Sequence, residues 1–207
     1  MMMVMPAAAS ERPVFYRERA SGMYGGAVFA AAQGMAELPF LFVQSVLYVV
    51  ILYGMIQFEF TGTKILWFWL YMWLDLMYFT YMGMGVMNAT PNLPAATASG
   101  SFFILLWMLF CGFLIYRKNI KPWYIWAYYF NPMTFIIYGC VTTQLGDITD
   151  GFISVGDSTT TIAQYINDTF SYEYDMRGYI VLILLGFIAA FRGLSYLGYT
   201  RMNFQRR

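Results

Sequence analysis

Long stretches without charged side chains are the feature that most constrains how this 207-residue chain can fold. One of them, residues 38–58, contains no Asp, Glu, Lys or Arg and is bordered by Glu37 and Glu59. A helix of that length rises about 1.5 Å per residue and crosses a hydrocarbon core of about 30 Å. Because 60% of the residues are hydrophobic and only 11% are charged, we expect a fold whose solvent is the lipid bilayer.

Four apolar stretches are long enough to predict transmembrane helices, at residues 38–58, 65–87, 95–115 and 178–200. The Ala- and Gly-rich segment before the first of them permits close contact between helices. Pro39 follows that segment and is expected to kink or restart the helix, because proline lacks a backbone N–H. Glu37 is then expected near the cytoplasmic interface.

The apolar stretch 122–143 is interrupted in its middle by Asn131-Pro132. Each half is about ten residues long, which is too short to cross a membrane. The aromatic density of both halves is typical of the bilayer interface. We therefore expect two short interfacial helices within an extracytoplasmic segment, 116–177, whose polar part, 144–177, forms a watery loop. The predicted fold class is all-α and polytopic.

Basic residues predict which side of the membrane each segment faces. Arginines concentrate near the two chain ends, at positions 12, 17, 19, 201, 206 and 207, whereas the short 57–64 turn carries only Lys64. Cytoplasmic segments are enriched in Lys and Arg, so both termini are expected in the cytoplasm. The sequon at Asn167 then lies outside and is a glycosylation candidate. A second sequon at Asn88 would face the cytoplasm and stay unmodified.

The segment 11–24, ERPVFYRERASGMY, is basic, aromatic and polar, and it precedes the apolar part of the chain. Its helical spacing predicts an amphipathic helix. Two interpretations stay open: an interfacial helix anchored by Arg and Tyr, or a cytoplasmic surface on which a soluble partner acts. Residues 1–10 lack the basic start and long apolar run of a signal peptide, so we expect them to form a frayed end.

The composition excludes several kinds of chemistry. The chain has no His and two Cys, Cys111 and Cys140, which removes most zinc, haem and Cys/His nucleophile sites. A disulfide between these Cys and two unrelated buried thiols both stay open. The net charge of +1 does not point to nucleic acid. The sequence has no P-loop, and no paired carboxylates or metal cluster stand out, so we expect neither a catalytic nor a metal site.

Two charged residues, Asp75 and Arg192, fall deep inside predicted spans. A charge in lipid is costly unless it is paired or hydrated, so such residues are functional candidates. One interpretation is an ion pair between the second and last spans, or a polar lining of a translocation path. The other is that Arg192 extends toward the cytoplasm along one helix face while Asp75 faces a wet crevice.

Motifs spread over the whole chain carry a family resemblance. They are ERPVFYRERASGMY at 11–24, Glu37-Leu38-Pro39, Thr90-Pro91-Asn92, Gly112-Phe113-Leu114-Ile115, Pro122-Trp123, Tyr128-Tyr129, Asn131-Pro132, Tyr138-Gly139, Gln144-Leu145-Gly146-Asp147 and Asn203-Phe204-Gln205-Arg206-Arg207. With them the chain resembles the C-terminal part of the second transmembrane domain of full-size G-subfamily ABC transporters. The resemblance is to the pleiotropic drug resistance type found in plants, algae and fungi.

This resemblance implies an exporter of apolar or amphipathic organic molecules in the plasma membrane. ATP and Mg would be bound by nucleotide-binding domains outside this chain. A second transmembrane domain, in the same longer chain or in another, would complete the transporter. The four predicted spans would correspond to the third to sixth of six.

The resemblance also implies roles for individual residues. They are Phe15, Arg17 and Glu18 for coupling to a nucleotide-binding domain, Leu105 and Met108 for the substrate cavity, and Phe113 and Leu114 for an outer gate of bulky apolar residues. Asp75 and Arg192 lie outside the family pattern, and Asn131-Pro132 stands where the family has Cys-Pro. The alternatives to an exporter are a standalone four-span scaffold or assembly protein and a nonfunctional fragment.

Overall fold

The computed structural model describes residues 1–148, 152–155 and 158–202, and helices dominate these residues. The helices are α1 (Val4–Ala20), α2 (Gly26–Ile56), α3 (Gly62–Ala89), α4 (Leu93–Leu109), α5 (Ile125–Tyr129), α6 (Pro132–Leu145), α7 (Ile162–Phe170) and α8 (Arg177–Arg201). The strands β1 (Phe152–Val155) and β2 (Ser158–Thr161) pair antiparallel, with residue 152 opposite residue 161. The expected all-α membrane fold is confirmed, with one small hairpin added.

Two helices among the described residues are long and apolar enough to cross a membrane, Gly26–Ile56 and Tyr174–Arg201. Helix α3 has 28 residues, but its many Trp and Tyr side chains are only weakly hydrophobic on a hydropathy scale. Helix α4 is apolar but only 17 residues long. The count of four spans therefore stays a prediction.

Two helix boundaries differ from those expected. Helix α2 continues through Pro39 instead of restarting there, because proline removes only one of the backbone hydrogen bonds that hold a 31-residue helix. Helix α4 ends at Leu109, not at residue 115, and the chain then turns through Gly112, whose φ is +83°. A positive φ is accessible to glycine because it has no Cβ, so this residue ends the helical path.

The first residues of the chain are helical and not frayed. Helix α1 begins at Val4, and the side chains of Met5 and Ala8 are buried. Their burial supplies the apolar contact that a short helix needs in order to persist. Helix α1 therefore begins before the 11–24 segment and ends four residues before the end of that segment.

The chain divides into two compact units. Unit 1 comprises Met1–Gln44, Leu76–Ile104 and Leu185–Arg207, and it contains α1. Unit 2 comprises Ser45–Asp75 and Leu105–Leu184, and it contains α5, α6, α7 and the hairpin. Each unit has its own buried apolar clusters, such as Phe15, Ala30 and Tyr199 in unit 1 and Val49, Tyr53 and Phe68 in unit 2.

Within unit 2, Asn131 marks the expected break between two short helices. Its side-chain oxygen accepts a hydrogen bond from the backbone N–H of Met133 at 3.0 Å, which caps the start of α6. Pro132 occupies the first helical position, where its missing N–H is not needed. The Asn131 amide also donates to the carbonyl of Trp107 at 2.7 Å. The predicted pair of short helices is confirmed as α5 and α6.

The described part of segment 144–177 has more regular structure than the watery loop that we expected. It contains the β1–β2 hairpin and helix α7, whose first turn is capped by Thr161. The Thr161 hydroxyl accepts from the Gln164 N–H while the Gln164 side chain accepts from the Thr161 N–H. This reciprocal arrangement stabilises a helix start, and its Thr-x-x-Gln signature is visible in the sequence.

Candidate functional site

Helix α1 carries one face that packs into unit 1. Its buried residues are Met5, Ala8, Arg12 and Phe15, which recur at intervals of three and four. Residues at this spacing lie on one side of a helix. The opposite side, which includes Val14 and Arg17, is less buried. Helix α1 therefore has one buried and one open face, and the buried face contains a charged arginine.

Phe15 is the aromatic anchor of this face, with none of its surface exposed. Its ring centroid lies 4.7 Å from that of Phe29 on α2 and 4.9 Å from that of Tyr199 on α8. Edge-on and tilted ring contacts of this kind add to the stabilisation from burial. The Phe15 ring therefore packs against unit 1 and presents no surface, and its role in coupling stays a prediction.

Arg12 binds the end of α3 from the same face. Its guanidinium donates to the carbonyls of Thr90 at 2.9 Å and Pro91 at 3.2 Å, and also to that of Met87. Only 8% of its surface is exposed. The last carbonyls of a helix lack intrahelical partners and carry the negative end of the helix dipole, so a cation is stabilised there.

Arg19, which is exposed, binds the end of α8. It donates to the carbonyl of Tyr199 at 2.8 Å and to that of Thr200 at 3.4 Å. A series of side-chain hydrogen bonds runs nearby: the Gln33 amide donates to Glu11 at 2.8 Å, and the Tyr199 hydroxyl donates to Gln33 at 3.2 Å. Helix α1 is thus bound to α2, α3 and α8 by polar contacts as well as by apolar burial.

The outer face of α1 forms a shallow depression of about 310 Å³. Arg17 and Glu18 line it together with Val14, Ser21 and Met23. Glu18 accepts a hydrogen bond from the Tyr24 hydroxyl, and this bond raises the pKa of Tyr24 to about 12. Of the three residues predicted for coupling, Arg17 and Glu18 are therefore accessible to a partner and Phe15 is not.

Arg192 is held inside unit 1 by neutral groups. Its guanidinium donates to the carbonyl of Ala30 on α2, and it lies 4.9 Å from the centre of the Tyr81 ring. Gly34 provides the space, because a Cβ at that position would come within 2.5 Å of the guanidinium. The Tyr81 hydroxyl donates to the Gly34 carbonyl at 3.0 Å. Arg192 is therefore stabilised by backbone and aromatic contacts.

Asp75 lies near the middle of α3, in unit 2. One oxygen of its carboxylate is buried and has no hydrogen-bond partner among the described residues. An unsatisfied buried carboxylate is destabilising, so Asp75 remains a functional candidate. Because Asp75 and Arg192 belong to different units, their ion pair stays a prediction.

The four residues assigned to the substrate cavity and outer gate are exposed. Leu105 and Met108 are 71% and 48% exposed, and Phe113 and Leu114 are 62% and 63% exposed. Leu105 and Met108 lie on α4, whereas Phe113 and Leu114 follow its end. Large apolar side chains with this much free surface require lipid or another protein surface around them.

In unit 2, a buried lysine holds the end of α6 and the turn before α3. Lys64, 8% exposed, forms ion pairs with Glu59 at 2.6 Å and Asp147 at 2.9 Å. The hydrogen bond from Lys64 lowers the pKa of the Glu59 carboxyl. Close by in sequence, the Gln144 amide donates to the Tyr53 hydroxyl at 2.6 Å. These contacts join α2, α3 and α6 within unit 2.

Asn167 and the two cysteines complete the predicted sites. Asn167 is exposed on α7, so its side chain is accessible to a glycosylating enzyme.

Cys111 and Cys140 are both free thiols, which favours two unrelated cysteines over a disulfide. The terminal motif 203–207 lies outside the described residues. Within the described residues, no group of three or more His, Cys, Asp or Glu is placed to hold a metal ion.

Sequence reasoning missed the specific contacts of Arg12, Arg19 and Lys64. It used these residues only as charges for predicting orientation. One local signal for Arg12 exists: Pro91 lacks an N–H, so the carbonyl of Met87, four residues earlier, loses its usual helical donor. The Thr90 N–H donates to this carbonyl as well, and only folding decides that Arg12 also reaches it.

Comparison with known proteins identifies the family. A model of the ABC-2 type transporter family matches residues 1–145. ABC transporter G family member 38 of Oryza sativa subsp. japonica is 38% identical over 204 residues, and Pleiotropic drug resistance protein 1 of Petunia hybrida is 41% identical over 204 residues. ABC transporter G family member 35 of Arabidopsis thaliana is 37% identical over 205 residues. Each alignment covers 99% of this chain but 14% of the relative's length. With this match and its apolar helices, the chain belongs to the ABC-2 type transporter family and forms part of an ABC transporter's transmembrane domain.

Proposed function

We propose that this chain contributes transmembrane helices to an ATP-driven exporter of apolar or amphipathic organic molecules. Nucleotide-binding domains outside the chain hydrolyse ATP, with Mg bound there, and a second transmembrane domain completes the transport path. The family match and the relatives named for pleiotropic drug resistance support this proposal. The observation that carries it is the arrangement of α1, which binds three other helices on one face and leaves a polar face open.

The open face of α1 is the proposed contact with a nucleotide-binding domain. Arg17 and Glu18 supply one positive and one negative group, and Val14 and Met23 supply apolar surface around them. A patch with both charges and apolar surface suits a protein partner, since interfaces combine an apolar centre with a polar rim. Phe15 has a different proposed role. It holds α1 against α2 and α8, so that α1 transmits movement of its open face to these helices.

The proposed orientation places both termini in the cytoplasm of a cell bounded by the plasma membrane. What supports it is the way residues divide between the units. Segments predicted to be cytoplasmic, 11–24 and 88–94, belong to unit 1, whereas those predicted to be outside, 57–64 and 116–177, belong to unit 2. Each unit therefore contains loops of one predicted side only.

The exposed apolar residues of unit 2 are the proposed path-facing surface. Leu105 and Met108 line a cavity shared with a second transmembrane domain, and Phe113 and Leu114 form part of an outer gate. Their exposure supports this assignment, because side chains facing a shared cavity make few contacts within their own chain. An apolar lining recognises apolar or amphipathic substrates by burial.

The test is a transporter chimera in which this chain replaces the matching 204 residues of Petunia hybrida Pleiotropic drug resistance protein 1. Inside-out vesicles are supplied with ATP and a panel of fluorescent apolar and amphipathic dyes, and uptake is measured against an ATP-free control. We expect ATP-dependent uptake comparable with that of the unmodified petunia protein if the latter moves the same dye. A chimera that inserts fully but shows no ATP-dependent uptake would favour the scaffold or nonfunctional fragment instead.

The docking contact is tested in the same vesicles with Arg17→Ala and Glu18→Ala together. We expect ATP hydrolysis to continue while dye uptake per ATP falls, because the nucleotide-binding domain loses its hold on α1. The control is Ser10→Ala, which alters an exposed polar residue two turns earlier on the same helix. Unchanged uptake per ATP in the double variant would exclude this face as the contact.

A further inference from the structure

We propose that Arg12 and Arg19 are two separate linkages that couple α1 to the ends of α3 and α8. They are positioning residues, and neither was assigned to coupling by the sequence motifs. The two arginines are two helical turns apart, so both project from the same side of α1. This proposal rests on the proposed function, because it specifies how movement of α1 would reach the transmembrane helices.

The first linkage adds donors from α1 to the carbonyls at the end of α3. Pro91 has no N–H, so the Met87 carbonyl lacks the donor that normally lies four residues later in a helix. Arg12 donates to this carbonyl and to those of Thr90 and Pro91. The Thr90 N–H and hydroxyl also reach the Met87 carbonyl, each at 3.2 Å. Arg12 therefore completes the end of α3 from a neighbouring helix.

The second linkage joins α1 to the last turn of α8. Arg19 donates to the carbonyls of Tyr199 and Thr200, which are among the last four of that helix. The aromatic body of Tyr199 packs against Phe15, and the Arg19 guanidinium lies 6.0 Å from the centre of the Phe15 ring. One residue of α8 is therefore held by α1 through both its carbonyl and its ring.

These two linkages make α1 a rigid bridge between two helix ends. Sliding α1 without α3 and α8 would break charge-assisted hydrogen bonds and leave a guanidinium buried beside unpaired carbonyls. The three helices are therefore expected to move together. Arginine suits this role because its planar fork reaches several acceptors at once, whereas a lysine ammonium acts as a single compact charge.

The physical linkage is tested by amide hydrogen exchange on the petunia chimera in lipid nanodiscs. In Arg12→Gln, we expect exchange at residues 84–90 to rise by about tenfold, while exchange at residues 195–201 stays unchanged. In Arg19→Gln, we expect the reverse pattern. Arg17→Gln is the matched control, since it removes the same charge from the open face of α1. Equal loosening of both helix ends in each variant, or no loosening in either, would overturn the proposal of two separate linkages.

The functional consequence is tested by dye uptake and ATP hydrolysis in the same chimera. We expect uptake per ATP to fall about fivefold or more in Arg12→Gln and Arg19→Gln, while ATP hydrolysis persists. Arg12→Lys should recover only part of the coupling, because it restores the charge but not the fork. Arg201→Gln is the control, an exposed arginine at the end of α8.

The outcomes separate this proposal from the proposed function. If the unmodified chimera does not transport, the exporter assignment fails, and the exchange experiment still decides whether the linkages exist. If the unmodified chimera transports and both glutamine variants keep normal uptake per ATP, the linkages are not part of coupling. Full recovery by Arg12→Lys would show that charge alone is needed, which would overturn the role of the guanidinium fork.

Discussion

Two cations, Arg12 in unit 1 and Lys64 in unit 2, are buried to the same extent but are satisfied in opposite ways. Each is 8% exposed. Arg12 donates to three neutral backbone carbonyls at a helix end, whereas Lys64 forms ion pairs with the carboxylates of Glu59 and Asp147. Arg12 is therefore stabilised by the dipole of a helix end, whereas Lys64 is stabilised by opposite charge.

The contacts of Arg12 and Lys64 are expected to depend differently on pH. Backbone carbonyls do not titrate, so the contacts of Arg12 are independent of pH wherever the protein stays folded. The Glu59 carboxylate does titrate, so the contact between Lys64 and Glu59 weakens when Glu59 becomes protonated.

The largest effect is expected for Arg12→Met, which keeps a long side chain but removes every donor. We expect the free energy of unfolding to fall by about 3 kcal/mol, because hydrogen bonds to a charged group are lost and buried carbonyls are left unpaired. Thermal unfolding in detergent micelles measures this loss of stability. Arg17→Met should change stability by less than about 0.5 kcal/mol. Equal effects of the two variants would contradict the special role of the helix-end contacts.

Next comes Gly139→Ala, which tests how tightly unit 2 packs around its own core. A Cβ at residue 139 would lie 2.5 Å from the ring of Tyr71, a side chain with no exposed surface. The ring has no free space, so we expect a loss of about 2 kcal/mol from overpacking. Gly54→Ala is the matched control in the same unit, because a Cβ added there would meet no atom within 4 Å and alanine favours a helix. Unchanged thermal stability of Gly139→Ala would show that the ring can move.

Lys64→Met is expected to have a smaller effect than Arg12→Met, about 1 kcal/mol. It leaves two carboxylates without a cation, but the Glu59 side chain is largely exposed and remains hydrated. Thermal unfolding at high and low salt is the measurement, and salt should reduce the difference between variant and unmodified protein. Lys121→Met, at an exposed position of the same unit, is the control. If Lys64→Met lowered the free energy of unfolding as much as Arg12→Met, stabilisation by carboxylates and stabilisation by helix-end carbonyls would not differ.

The contact between Lys64 and Glu59 should weaken only slightly with pH, and only at acid pH. Because Lys64 lowers the folded-state pKa of Glu59, its stabilising contact is fully present above the ordinary carboxyl pKa and is lost as pH falls through the folded value. We expect hydrogen exchange at residues 57–64 to increase below about pH 4.5, while residues 84–90 keep their protection. In Glu59→Gln, this acid-dependent change should shrink. An equal increase in hydrogen exchange at residues 84–90 at acid pH would contradict the difference between Arg12 and Lys64.

The last prediction concerns sidedness and carries no expected change in stability. The chain has one sequon in each unit, at Asn88 and Asn167. We expect glycosylation only at Asn167, detected as a mobility shift that an amidase removes and that Asn167→Gln abolishes. Asn88→Gln is the matched control and should leave the shift unchanged. Modification at Asn88 instead would reverse the proposed orientation.

Much of the fold was predictable from local pattern. The apolar stretches predicted where α2, α3, α4 and α8 lie, because a helix in lipid satisfies its own backbone hydrogen bonds. Asn131-Pro132 predicted the boundary between α5 and α6, since proline favours the first helical position. The hairpin was not predicted, because the Gly-, Ser- and Thr-rich segment around it has a polar composition typical of loops. The start of α1 was also missed, because its helix depends on burial of Met5 and Ala8 within unit 1.

The amino-acid sequence alone indicates the bilayer environment, the positions of the main helices and the resemblance to a transporter family. These follow from local composition, periodicity and motifs, which do not depend on distant contacts. Only the tertiary structure decided that Phe15 faces inward, that Arg12 and Arg19 bind the ends of two other helices, and that Lys64 meets Asp147. The physical reason is that a side chain's partner is selected by which distant helix end or carboxylate folding brings within hydrogen-bond distance.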